Sequence, residues 1–166
     1  MAYQLSRMTL LTANISKTFI VEESRITDLE GIKKLLLQLV PEQNSNLGSM
    51  FMDLSESIKS NNNKWFVIRN DERVVGCCQL LIYKNLIRSP NQKAVIDSVI
   101  IDEHHQSIGL GQLLIKNVLK YAKAYHVGKV QLISSFPRIK AHSFYERLAF
   151  KKVGYGFILD LNTQNG

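Results

Sequence analysis

The stretch from Ala94 to Tyr125 constrains this chain most. An apolar run, Ala94 to Ile101, passes through the polar Asp102, Glu103, His104 and His105 into Gln106-Ser-Ile-Gly-Leu-Gly111, and a helix-like pattern then runs from Leu110 to Tyr125. Strand, short polar loop, paired glycines and long amphipathic helix come in the order that a strand-loop-helix phosphate cradle requires. Glycine lets the backbone approach a ligand closely, and a helix start leaves amide N–H groups unpaired and pointing outward, so the loop suits a diphosphate. Two familiar nucleotide loops do not fit. Position 114 is Leu where the dinucleotide fingerprint needs a third glycine, and no Gly-Lys-Ser/Thr follows as an ATP-binding loop needs.

A chain of 166 residues is long enough to bury one sizeable core, and it reads as a single domain over 1–166 with 1–16 as a loosely held extension. No apolar run reaches membrane-spanning length, and the start lacks the order of a secretory signal, so a cytoplasmic protein with no membrane partner is expected. Cys77 and Cys78 are adjacent and would point to opposite faces of a strand, which makes them reduced packing residues. There is no Cys-x-x-Cys and no ligand spacing with the histidines, so no metal site is expected. The net charge of +7 lies wholly in the second half: residues 1–80 carry nine Lys/Arg against nine Asp/Glu, and residues 81–166 carry twelve against five. That half contains the loop, and its field attracts a polyanion. No aromatic-basic RNA signature accompanies it, so nucleic acid is not an expected partner, and Lys116, Lys120 and Lys123 read as a solvated helix face.

Along the chain, Thr18 to Glu23 alternates like a first strand, and Thr27-Asp-Leu-Glu30 has the form of a capping box before Leu29, Ile32, Leu35, Leu36 and Leu39, a helix face that stops before Pro41. Glu42 to Ser49 reads as a loop, and Met50 to Lys59 as a second helix with Phe51, Leu54 and Ile58 on one side. Lys64 to Arg69 and Arg73 to Lys84 form a hairpin through Asn70-Asp71-Glu72. Asn85 to Gln92, with Pro90, connects to the strand Lys93 to Ile101. The long helix should stop at Gly128. A strand at Lys129 to Ser134, a turn at Pro137, a helix at Ile139 to Leu148 and a last strand at Phe150 to Leu161 complete the order β-α-α-β-β-β-α-β-α-β.

The spacing Gln106-x-x-Gly109-x-Gly111 resembles the Gln/Arg-x-x-Gly-x-Gly/Ala signature of the GNAT superfamily of acyl-CoA-dependent N-acetyltransferases. Downstream, Arg138-x-x-Ala141-x-x-x-Tyr145-x-x-x-Ala149-Phe150 resembles that superfamily's Asn-x-x-Ala-x-x-x-Tyr-x-x-x-Gly-Phe, with Arg138 in place of Asn and Ala149 in place of Gly. The element order is similar as well, over about residues 18–160. The resemblance implies an α/β (α+β) GNAT fold, with a mixed, mostly antiparallel central sheet of six to seven strands flanked by about four helices. It implies transfer of an acetyl group from acetyl-CoA to a primary amine of a small molecule, by direct attack in a ternary complex. The stretch Lys93 to Gly111 with Tyr145 looks somewhat like the small sugar-phosphate acetyltransferases. The competing readings are a protein or peptide amine acetyltransferase, and a CoA-binding or RNA-binding module without turnover.

Roles follow residue by residue. The amides of Gln106, Ser107, Ile108, Gly109, Leu110, Gly111 and Gln112 would take the diphosphate. The backbone of Val99, Ile100 and Ile101 would pair with the pantetheine arm as a peptide adds to a sheet edge, with Ser134 and His142 also on the cofactor. A free amine of pKa near ~10 is only about 0.3% neutral near pH 7.5, a cost of roughly 3.4 kcal/mol, so a base is needed. Asp97, in an otherwise nearly apolar strand where burial would raise its pKa, is the candidate, acting through a water. The alternative is that Asp97 faces solvent or a basic partner and does no chemistry. Tyr145 is the candidate for stabilising the departing thiolate, and ring packing on the core is its alternative role. His104 and His105 are expected in solvent. The acceptor is set by the first two helices and the loops around Asn44 and Asn85, which carry no recognisable code. The resemblance also allows a homodimer through Tyr155 to Leu161.

Overall fold

A computed structural model of the chain describes residues 6–12, 15–39, 47–86, 92–159 and 161. Pro41, Asn44, Pro90 and most of the loops that hold them lie outside the described residues. The chain forms two compact units, Met1–Leu132 and Ile133–Gly166.

The larger unit is built on a six-stranded sheet in the order β1 to β6: Ser6–Thr12, Ile15–Glu23, Asn63–Asn70, Arg73–Lys84, Gln92–Ile101 and Lys129–Gln131. The first five strands are antiparallel neighbours, and β6 joins β5 in parallel. Three helices accompany them, α1 at Leu29–Leu39, α2 at Leu47–Lys59 and α3 at Leu110–Ala124. The mixed, mostly antiparallel sheet expected from the sequence is therefore present.

Strand alternation assigns the two core layers. Trp65 and Val67 of β3, Cys77 of β4 and Ile100 of β5 pack with Leu29, Ile32 and Leu35 of α1 and Leu54 of α2. The intervening Phe66, Ile68, Cys78, Leu80, Ala94 and Ile96 are buried on the other face. There Phe66 meets Tyr121 of α3 edge to face at 4.9 Å, and the 3.6-residue period of α3 buries Leu110, Leu114, Ile115, Val118 and Ala122. Cys77 and Cys78 are both free and buried, and burial pushes their thiols far above the ordinary range, so neither is a nucleophile at neutral pH.

Several local expectations are corrected. Ser6–Thr12, placed in a loose extension by its lack of period, forms β1 by pairing along β2, whose backbone supplies the register that its own sequence does not announce. The helix cap lies earlier than Thr27: Asp28 accepts the Arg25 N–H at 2.7 Å and opens a 3-10 turn at Ile26–Asp28. The second helix begins at Leu47, three residues before the apolar pattern suggests. At the end of α3 it is His126, at φ 58°, that takes the left-handed position, with Val127 N–H returning to the Ala122 carbonyl, so Gly128 is not the stop. The strand after α3 ends at Gln131 and not at Ser134.

The smaller unit holds α4, Ile139–Arg147. Residues 151–159 form no strand in it, although Val153, Tyr155, Phe157 and Leu159 alternate as one. A strand exists by pairing, and within this unit no other described strand stands beside that segment.

Candidate active site

The β5 strand is irregular where the chemistry was placed. Gln79 faces Asp97 and Cys77 faces Ile100, so Ser98 and Val99 together oppose Cys78, and Ser98 takes φ 50°. This is a β-bulge, a device that bends a strand and redirects its side chains. On the last regular pair before it stands Asp97, which was expected to be buried among apolar neighbours and is exposed. Its carboxylate accepts the Ser98 N–H at 2.6 Å.

Beyond Val95 the outer edge of β5 has no strand beside it among the described residues, because β6 pairs only with Lys93 to Val95. The backbone of Val99, Ile100 and Ile101 therefore lies on a stretch of sheet edge with no described strand paired to it, as an added extended, amide-bearing ligand would require. Gln106 Nε2 donates to the Ile101 carbonyl at 3.0 Å, which ties the end of the strand to the start of the glycine loop.

Between them, Asp102 organises the turn at Glu103–His105. Its side chain accepts the His104 N–H at 3.0 Å and meets His105 Nδ1 at 3.1 Å, so His105 is half-buried and engaged, unlike the exposed His104. Burial pushes the Asp102 carboxyl up, but the His105 ring, the His104 amide, the Gln38 amide and the charge of His105 together hold it below its ordinary range. A depressed carboxyl stabilises the fold above its unfolded pKa of about 4 and loses that contribution as pH falls through the folded value. Asp102→Asn keeps a capping oxygen but makes the acceptor neutral, which is expected to cost about 1 kcal/mol at pH 7, and the deficit should shrink steadily below about pH 4. Paired denaturation curves across pH would measure it.

The loop itself alternates its backbone. Ser107 takes φ 65° and Gly109 φ 91°, and the helical ladder starts with Leu113 N–H onto the Gly109 carbonyl at 3.0 Å. The amides of Leu110, Gly111 and Gln112 precede that first bond and have no intrahelical acceptor. Gln106, Ser107, Ile108, Gly109 and Gln112 are exposed, Gly111 is half-buried, and the Leu110 side chain anchors the turn in the core. Amides without intrahelical acceptors at a helix start are the kind of donors that a diphosphate would need.

Ser134, His142 and Tyr145 belong to the smaller unit. There His142 Nε2 lies 2.9 Å from the Ser135 carbonyl, and Ser134 Oγ is buried without a hydrogen-bond partner among the described residues. Tyr145 packs edge to face on Phe144 at 5.1 Å and on Phe150 at 5.9 Å. Ala149 does adopt φ 66°, the strained left-handed cap at which the family motif carries glycine.

A polar cluster missed by the sequence reading lies across the sheet from the open edge. Gln79 Nε2 donates to Asn63 Oδ1 at 2.7 Å, and Asn63 Nδ2 donates to Ser57 Oγ on α2. No spacing in the sequence joins these residues; only strand register does. Among the described residues, no group of three or more His, Cys, Asp or Glu could hold a metal ion, and no helix is long and apolar enough to cross a membrane.

Comparison with known proteins bears on family and fold. The profile of the acetyltransferase (GNAT) family matches residues 33–150. Human N-acetyltransferase 8B is 27% identical over 106 residues, 60% of this chain and 46% of that protein, so the chain spans about half the length of that curated relative. A crystal structure described as a transcriptional regulator from Bacillus halodurans superposes with a TM-score of 0.78 at 25% identity, covering 85% of this chain and 98% of that one. An aminoglycoside N-acetyltransferase solved in complex with CoA shares the fold, with a TM-score of 0.77 at 15% identity over 90% of this chain and 98% of that one. The chain belongs to the acetyltransferase (GNAT) family.

Proposed function

We propose that the chain moves an acetyl group from acetyl-CoA to a primary amine of a small molecule, by direct attack in a ternary complex. The observation that carries this reading is the open β5 edge leading into the run of helix-start amides at 106–112. The amides take the diphosphate, the Val99 to Ile101 backbone takes the pantetheine amides, and Ser134 and His142 complete the cofactor contacts. The thioester is thereby held along the strand that carries Asp97.

In the reaction the neutral amine adds to the thioester carbonyl, the tetrahedral intermediate collapses, and the CoA thiolate leaves. Asp97 serves as base through a water, and its exposure suits a relay of that kind better than direct contact with a desolvated amine. Tyr145 donates a hydrogen bond to the departing sulfur. Full proton transfer beforehand is uphill, since a phenol of pKa about 10 faces a thiol of about 8.5, a gap of roughly 2 kcal/mol.

Release of free thiol from acetyl-CoA with a panel of amines tests the function directly. CoA binding without thiol release across amino sugars, polyamines, amino acids and peptide amines would instead favour a binding module. Asp97→Asn should lower turnover by about 10²-fold or more at neutral pH and less at alkaline pH, where the amine sheds its proton unaided. Equal activity of the two proteins across pH would remove Asp97 from the mechanism. Gly109→Ala places a Cβ at φ 91°, a conformation that costs an L-residue about 1–2 kcal/mol. It should also raise the acetyl-CoA KM about tenfold, the worth of one charge-assisted hydrogen bond, with little change in the amine KM.

A further inference from the structure

Four residues stand side by side across the sheet on the face that α1 and α2 cover. Trp65 of β3 is the register partner of Gln79 of β4, which is the register partner of Asp97 of β5. Ser24, one residue past β2, continues the row, because its N–H bonds the Trp65 carbonyl at 2.8 Å. Register partners present their side chains on one face. The row runs from deep to open: Trp65 is 5% exposed and Ser24 8%, Gln79 is half-buried and Asp97 is exposed.

The deep end has unmet hydrogen-bonding capacity. Trp65 Nε1 and Ser24 Oγ are both buried with no partner among the described residues. Buried donors without acceptors are rare in folded proteins and each calls for an explanation. Two of them in adjacent positions of one row point to a shared guest. The open end is oriented. Gln79 gives its amide nitrogen to Asn63, which passes a hydrogen bond on to Ser57, so the direction of that chain leaves the Gln79 carbonyl oxygen as the acceptor in the row.

We propose that this row is the acceptor subsite and that it selects a primary amine carrying an uncharged oxygen a few bonds away, such as an amino alcohol or amino sugar. This rests on the acetyltransferase reading of Asp97. The amine sits at the acceptor end, where the Gln79 carbonyl and the Asp97 carboxylate receive its N–H groups. The oxygen reaches inward and accepts from the Trp65 indole and the Ser24 hydroxyl. Gln79 and Trp65, the two inner members of the row, stand on neighbouring strands about 4.8 Å apart, close to the separation of nitrogen and oxygen in an extended aminopropanol, and Asp97 and Ser24 flank them from the outside. A polyamine offers only donors and positive charge to the indole N–H, so the deep end rejects it.

Trp65 is the single tryptophan of the chain, and its emission reads occupancy without turnover. The probes are aminopropanol and glucosamine, each paired with an analogue lacking the oxygen groups, n-butylamine and cyclohexylamine, with propane diamine as the polyamine. With CoA bound, the two oxygenated amines are expected to shift the Trp65 emission to longer wavelength and the other three to leave it unchanged. In thiol-release assays kcat/KM should favour each oxygenated amine over its analogue by about tenfold or more. Trp65→Phe and, independently, Ser24→Ala should shrink that ratio toward unity while leaving the acetyl-CoA KM unaltered. Turnover with no emission change, or an undiminished ratio in both variants, would overturn the subsite and leave the acetyltransferase reading intact. An emission shift without any thiol release would do the reverse, and silence in both measurements would overturn both.

Discussion

Tyr145→Phe is expected to lower kcat by about 10²-fold to 10³-fold, the loss seen when one donor to a developing anion is removed. The substitution keeps the ring, and the ring is what meets Phe144 at 5.1 Å and Phe150 at 5.9 Å. Only the hydroxyl leaves, so stability should change by no more than about 1 kcal/mol. The acetyl-CoA KM should also stay put, because the diphosphate and pantetheine contacts are assigned to other residues. Steady-state kinetics with thermal melts on the two proteins would separate the roles. A melting temperature that falls while kcat holds would make Tyr145 a packing residue. A kcat that falls alone would place its hydroxyl at the leaving group.

The second large effect concerns the fold. Arg69 on β3 reaches both Glu22 of β2 and Asp28 of the turn that opens α1, and its side chain is 11% exposed against 12% and 2% for theirs. Burial alone would pull the guanidinium below its ordinary pKa, but its bonds to Asp28 and Glu22 outweigh that and hold it above. Arg69→Met keeps the apolar stem and deletes the charge. Glu22 retains the exposed Arg25 at 3.1 Å, whereas Asp28 loses its cation in a buried setting. The expected cost is about 3–5 kcal/mol, the usual result of breaking one side of a buried pair. Urea denaturation would measure it as a lower midpoint at unchanged slope. Adding Asp28→Asn should return part of the loss, because the stranded charge and not the missing bond dominates the penalty. A deficit that the second change leaves untouched would mean that lost packing of the arginine stem is the cause.

The parts of this protein that could be read in its sequence are those whose determinants are contiguous. Gln106 and Gly109 lie in the loop before α3 and Gly111 in its first turn, and α3 repeats its apolar residues every turn, so loop and helix were visible together. The faces of α1 and of the hairpin β3–β4 were visible for the same reason. What depended on pairing was not. Ser6–Thr12 carries no alternation of its own and becomes a strand because β2 lies beside it. Residues 151–159 alternate well and remain irregular, since no described strand in their unit accompanies them. Asp97 was misjudged as buried because its apolar sequence neighbours do not cover it: Ile96 is buried on the opposite face and Ile100 lies beyond the bulge. The row of Ser24, Trp65, Gln79 and Asp97 spans more than seventy positions of sequence and exists only through register, so no motif search along the chain would assemble it.

The bulge at Ser98 and Val99 has a wider consequence. It acts as a dislocation in β5, and the two lengths of strand on either side keep different time. Before it, odd-numbered residues point toward α1 and α2; after it, Ile100 does. Because the defect holds one spare residue, it sets which side chains of the strand face α1 and α2 and which face α3. A shortening of the chain by a single residue at this point would iron out the kink and still leave Ile100 opposite Cys77, so the strand beyond it would keep its facing.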